Sequence, residues 1–142
     1  MENNTIKQSS QKAIKGLWNA FPMILGTVLL VSLISAIIPK SFYITIFSKN
    51  LFLDSLIGGL IGSISAGNPI TSYIFGGEML SQGVGLIAVT AFLVSWVTVG
   101  IIQLPAESAI LGKKFAILRN ITAFIFSIIV AIITVLILEV MI

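Results

Sequence analysis

From Leu17 to Ile38 the chain runs for 22 residues without a charge. At 1.5 Å per residue such a helix is about 33 Å long, enough for a bilayer core of about 30 Å. Two more runs of this kind follow, Val84 to Leu104 and Ile121 to Ile142, the last with Glu139 near its end. Three spans in 142 residues leave little chain for anything else. Only 9% of residues are charged and 57% are hydrophobic, whereas soluble domains carry about 25% charge. The expectation is an all-α, polytopic membrane protein whose first partner is lipid.

The zero counts remove whole classes of chemistry. Without Cys or His there is no disulfide, thiolate nucleophile, cysteine zinc site, Ser-His-Asp triad or imidazole shuttle. The five carboxylates, at 2, 54, 78, 107 and 139, form no metal-ligand or glycosidase pair by spacing. The sequence therefore argues against an enzyme and calls for no metal and no cofactor. The net charge of +3 comes from lysines flanking the apolar runs, which read as topology signals rather than a nucleic-acid surface.

Residues 1–16 form a polar segment with Lys7, Lys12 and Lys15 before the first run, and 17–142 reads as one transmembrane domain. Ile34 would occupy a small-residue position of a signal-peptidase site and is too large, so the first run reads as a retained anchor. Pro39 ends it. Residues 40–50, with Phe42, Tyr43 and Phe47, read as an aromatic loop at headgroup level. Trp18 reads as an interface anchor and Trp96 as a packing residue. Asp54 and Glu139 read as interfacial.

Residues 51–80 are apolar but interrupted at Gly67-Asn68-Pro69. Pro69 removes a backbone donor and restricts Asn68, which disfavours a continuous helix. If 51–80 is a re-entrant hairpin, Lys7, Lys12, Lys15, Lys113, Lys114 and Arg119 share one face against Lys40 and Lys49, a 6:2 split that fits cytoplasmic enrichment and a cytoplasmic N-terminus. If the segment crosses, the split is 3:5. Three full spans plus a Pro-interrupted hairpin is the preferred reading.

Two stripes of small residues precede the break, Gly58, Gly62 and Ala66, and Gly59, Ser63 and Gly67. They suit close helix packing, since lipid supplies no hydrophobic drive for helices to associate. Asn68 suits an N-cap and Pro69 the first helical position. Broken helices at membrane depth persist where protein or a wet cavity satisfies their backbone, and many transporters bind solute there. Asn68, Pro69, Thr71, Ser72 and Tyr73 would line such a place. A kink satisfied by Ser and Thr is the plainer alternative.

Pro69–Gly76 matches Pro105–Gly112 at an offset of 36 residues through Pro, Ser, Ile and Gly, and paired Pro-interrupted segments point to repeated binding elements. This adds Gln103 and Pro105 to the candidate substrate contacts. With Leu104 as cap, Glu107 falls where it can satisfy helix donors, or else it couples a proton. Glu78 is the other coupling candidate, because acids inside a membrane are functional by default. Snorkelling is its plain alternative.

The motifs Gly67-Asn68-Pro69-x-x-Ser72-Tyr73, Gly83-Val84, Gln103-Leu104-Pro105-Ala106-Glu107 and Leu111-Gly112-Lys113-Lys114-Phe115 together resemble a family of predicted permeases that includes organoarsenical efflux permeases. The likeness covers residues 51–120. Longer members look like two such units, so it implies a half-size subunit working as a homodimer, or as a heterodimer with a second half-size chain, on a small-molecule substrate in the cell (inner) membrane. Arsenical exporters carry cysteines in the first motif, where this chain has Ser65, Asn68 and Ser72. Trivalent arsenic favours soft thiolates, so this departure points to another solute. The expectation is a permease for a small polar or anionic solute, with a passive channel for a neutral solute or a non-transporting scaffold as alternatives.

Overall fold

The structure, a computed structural model, describes residues 2–48, 50–65 and 67–141, with backbone alone for 2–5 and 44. It is 86% helix, with no strand among the described residues. Seven helices occur among the described residues: α1 (Glu2–Ile37), α2 (Lys40–Ile46), α3 (Leu51–Ile64), α4 (Pro69–Ser81), α5 (Leu86–Thr98), α6 (Leu104–Leu111) and α7 (Lys113–Met141). The chain divides into two units, 1–37 and 38–142.

The first unit is α1, a helix of 36 residues with Pro22 inside it. It continues unbroken through the boundary between the polar segment and the first apolar run. Ile6–Ile37 of α1 and the whole of α7 are long and apolar enough to cross a membrane. The other apolar helices, α3 and α5, are shorter.

The second unit is organised around α5. Its residues Ile87, Ala88, Val89, Ala91, Phe92 and Ser95 are buried, because three helices pack on it. Helix α3 runs parallel to α5, with Gly58 against Ala88 and Gly62 against Phe92. Helix α4 runs antiparallel to α5, with Gly67 beside Trp96 and Gly76 beside Leu93 and Val89. Helices α3 and α4 therefore run antiparallel to each other, each packed on α5. Helix α7 is also antiparallel to α5, since Ser127 meets Ser95 and Asn120 meets Gly100.

Two expectations are corrected here. The uncharged run 84–104 is not one helix: α5 ends at Thr98, Val99 is extended (φ −100°, ψ 119°) and α6 begins at Leu104. Thirteen residues rise about 20 Å, short of a bilayer core. Three β-branched residues, Val97, Thr98 and Val99, precede Gly100, and the Gly100 N–H donates to Asn120 Oδ1 (2.8 Å) instead of to its own helix. Nor is 40–50 a plain loop. Pro39 caps α2, and Phe47 just beyond that helix is buried against Val84, Ala88 and Val89, with Tyr43 and Ile46 packed on the same cluster. The last run lies within α7 as far as Met141, and that helix starts earlier, at Lys113; Ile142 lies outside the described residues.

The inside of this unit combines the apolar cluster around Phe47 and Val89 with many small polar residues, and its outside is large and apolar. Asp54, Ser55, Ser63, Ser72, Ser95, Asn120 and Ser127 are buried, while Ile117, Leu118, Ile121, Ile125, Phe126 and Ile129 of α7 are exposed. The buried hydroxyls are satisfied locally: Ser55 donates to Phe52 O (2.9 Å), Ser63 to Leu60 O (2.8 Å) and Ser72 to Pro69 O (2.7 Å). Ser95 and Ser127 meet at 2.6 Å, joining α5 to α7. Soluble monomers rarely expose apolar patches on this scale, and small residues at helix contacts are the pattern of packing in lipid. Together with the two long apolar helices, this points to a membrane location.

Candidate functional site

Helices α3 and α5 end alike. Ser65 is extended (φ −79°, ψ 144°) with its N–H on Gly62 O, and Val99 is extended with its N–H on Ser95 O. Each break is followed by a helix with proline in its first turn, Pro69 in α4 and Pro105 in α6. The short match at an offset of 36 residues thus belongs to a longer repeat of helix, extended break and proline-opened helix.

The two breaks meet. Ser65, Gly67 and Pro69 from the first, and Val97–Gly100, Ile102 and Gln103 from the second, line one cavity of about 220 Å³ with Trp96 and Arg119. Parallel packing of α3 and α5 brings this about, because it puts their C-terminal ends at the same level. Trp96 helps to hold the breaks together: its Nε1 donates to Gly67 O (3.4 Å), and its ring packs on Phe92 and Phe75. No Asp or Glu lines this cavity among the described residues.

Of the residues singled out from sequence, Pro69, Gly67 and Gln103 line the cavity, whereas Asn68, Thr71, Ser72 and Pro105 do not. Asn68 is the N-cap of α4, its Oδ1 accepting from Ile70 N (2.9 Å). Ser72 is buried and donates back to Pro69 O. Thr71 is half-buried, and Tyr73 and Pro105 are exposed. Replacing Asn68 by Ala is expected to cost about 1 kcal/mol of stability, the usual loss for an N-cap, measurable as a lowered thermal midpoint in detergent.

Glu78 lies in the last turn of α4 and accepts from Gln82 Nε2 (2.7 Å). Its nine-residue distance from Pro69 puts it about 13.5 Å along the helix from the break. Glu107 does not cap α6. Gln103 is the N-cap, and the Glu107 carboxylate instead bridges to α7, pairing with Arg119 through Oε1 and accepting from Asn120 Nδ2 through Oε2 (3.1 Å). Arg119 Nη2 reaches Thr98 O (3.4 Å), and Asn120 Oδ1 holds Gly100 N. Glu107, Arg119 and Asn120 therefore form a polar clasp that fixes the second break. Gly112, at φ 88°, makes the turn that folds α6 back on α7.

Arg119 and Asn120 were not anticipated at the site. Arg119 reads from sequence as one more flanking cation, and the available signal was a lone Asn beside it at the mouth of an apolar run. Asp54, expected at an interface, is buried and accepts from Ser48 N (2.9 Å). Of the small-residue stripes, Gly58 and Gly62 abut the α5 backbone, while Gly59 faces Ser95, Phe124 and Ile128. Ser63 lines a gap between α3 and α7 beside Asn120 and Phe124. Ala66 lies outside the described residues.

No family model, curated protein or solved structure matches the chain.

Proposed function

We propose that the chain is a permease subunit of the cell (inner) membrane that moves a small polar or anionic solute through the cavity between its two helix breaks. The observation that carries this reading is the meeting of Ser65, Gly67 and Pro69 with Val97–Gly100, Ile102 and Gln103 around one cavity. In lipid, irregular backbone of this kind is tolerated where it is buried in protein or lines a wet cavity, and discontinuous helices at mid-depth are the usual architecture of solute sites.

In the proposed topology α1 crosses from a cytoplasmic N-terminus and α3–α4 re-enters and returns to the far side. Helices α5 and α6 together cross back, and α7 crosses again. This returns Lys113, Lys114 and Arg119 to the side of Lys7, Lys12 and Lys15, as the positive-inside rule requires. The mouth of the cavity includes exposed Val97, Thr98 and Gln103, so one copy does not enclose a path. A dimer, with itself or with a second half-size chain of the same permease type, would close it. The absence of a lining carboxylate among the described residues favours, as a second reading, passive passage of a small neutral solute over proton coupling through Glu78 or Glu107.

The chain has no cysteine, which makes the test direct. Single cysteines at Ser65 and Gln103 are expected to react with a membrane-impermeant maleimide in intact cells or inverted vesicles, while one at exposed Phe126 of α7 stays unreactive in lipid. Protection of both 65 and 103 from either side, with loop position 82 labelled, would overturn the permease and leave the breaks as packing features.

A further inference from the structure

Arg119 is the one cationic side chain on the cavity wall among the described residues, and its charge is already answered from within the chain. The Glu107 carboxylate sits on Nη1, and Nη2 turns to the Thr98 carbonyl at the break. A guanidinium is a planar fork matched to two oxygens sharing a negative charge. Whatever takes the place of Glu107 on it must offer the same chemistry. The space is small: about 220 Å³ lies below the roughly 300 Å³ at which drug-sized sites begin.

Glu107 can yield Arg119 without being stranded, because its other oxygen stays with Asn120 Nδ2. Arg119 can turn toward the cavity without losing its seat, because its side chain already lines it and is 38% exposed.

We propose that Arg119 holds a small oxyanion, a carboxylate or inorganic oxyanion of a few heavy atoms, and that Glu107 is its built-in competitor. The inference rests on the permease reading and names the solute class of that same cavity. Binding exchanges one carboxylate-like partner of Arg119 for another and leaves the Asn120 bond as the remaining side-chain hydrogen bond from Glu107 to α7. Occupancy thereby loosens the clasp at the second break.

The two partners of the pair should then act with opposite signs. Trp96 lines the cavity, so in a Trp18→Phe background its emission reports binding. The full-length protein in detergent would be titrated with acetate, nitrate and inorganic phosphate at constant ionic strength. At least one is expected to give a saturable change. Glu107→Gln should tighten it about tenfold or more by removing the internal competitor, Arg119→Gln should abolish it, and Arg119→Lys should retain a weakened response. Helical circular dichroism checks that each variant is folded, and the titration of the Trp18→Phe protein stands without the others. No saturable response to any of the three anions would overturn the proposal, as would Glu107→Gln weakening binding as much as Arg119→Gln. If cysteines at 65 and 103 are still labelled from water in that case, the permease stands and its solute is neutral. If they are protected, the permease reading itself has failed.

Discussion

Gly62→Ala is expected to destabilise the protein by about 3 kcal/mol, at the upper end of what one extra methyl group costs in a packed interior. A Cβ at Gly62 would lie 2.3 Å from Phe92 O, and one at Gly58 would lie 2.1 Å from Ala88 O. Both obstacles are backbone atoms of α5, so no rotamer change relieves them. Helices α3 and α5 would have to separate, and with them the ends that bring the two breaks together. Gly77→Ala provides the contrast, since nothing lies within 4 Å of its Cβ position. There the gain in helix propensity, up to about 1 kcal/mol, is expected to leave stability equal or slightly raised. Thermal unfolding in detergent, followed by circular dichroism, checks both. A Gly62→Ala protein as stable as the parent would mean that α3 and α5 are not in close backbone contact. A lowered midpoint together with lost labelling at Ser65 and Gln103 would show that this contact builds the cavity.

How far the sequence anticipates this arrangement depends on the range of the forces that set each feature. The break before Pro69 is legible because proline and glycine act on their own backbone. Asn68 as cap follows from the same local chemistry, and the structure has it in that role. The second break is not legible from hydropathy, because Thr98, Val99 and Gly100 carry no charge and no proline. What holds it open is a bond from Gly100 to Asn120, twenty residues away. The Pro105 match did hint at a repeat, but the run before it still reads as one span.

Site residues divide in the same way. Neighbours in sequence, Asn68, Thr71 and Ser72, look like one binding cluster. Their i, i+3, i+4 spacing does put them on one side of a helix, but their polar groups are used locally, Asn68 as the cap of α4 and Ser72 on Pro69 O. Arg119 belongs to the cavity only because α7 is antiparallel to α5 and long enough to pass its end. That is a tertiary fact with no local signal. Phe47 departs from expectation for a related reason: aromatic residues near a span end suit the headgroup region, and here the end of α2 folds inward instead.

Asn120→Leu is expected to cost about 2–4 kcal/mol, more than loss of any single cap. Asn120 is buried and makes three bonds, to Gly100 N, Glu107 Oε2 and Ala116 O. Leucine fills similar space but leaves the Gly100 N–H and one Glu107 oxygen without these partners, at about 1–3 kcal/mol for each group that stays buried and unsatisfied. Asn120→Asp is expected to fare no better. It keeps an acceptor for Gly100 N–H, but it removes the donor to Glu107 and sets a second negative charge beside it. Because the damage is confined to the clasp, α6 and the break should open without the rest of the unit, as a local unfolding. Hydrogen exchange read by mass spectrometry should then show the 99–111 segment exchanging about a hundredfold faster, the change that about 2.7 kcal/mol produces, with α3 and the middle of α5 unaffected. Equal acceleration across α3, α5 and α7 would instead mean that Asn120 supports the whole packed unit. Unchanged exchange at 99–111 would mean that the second break is held by its own sequence, and the β-branched run before Gly100 would then be sufficient to end α5.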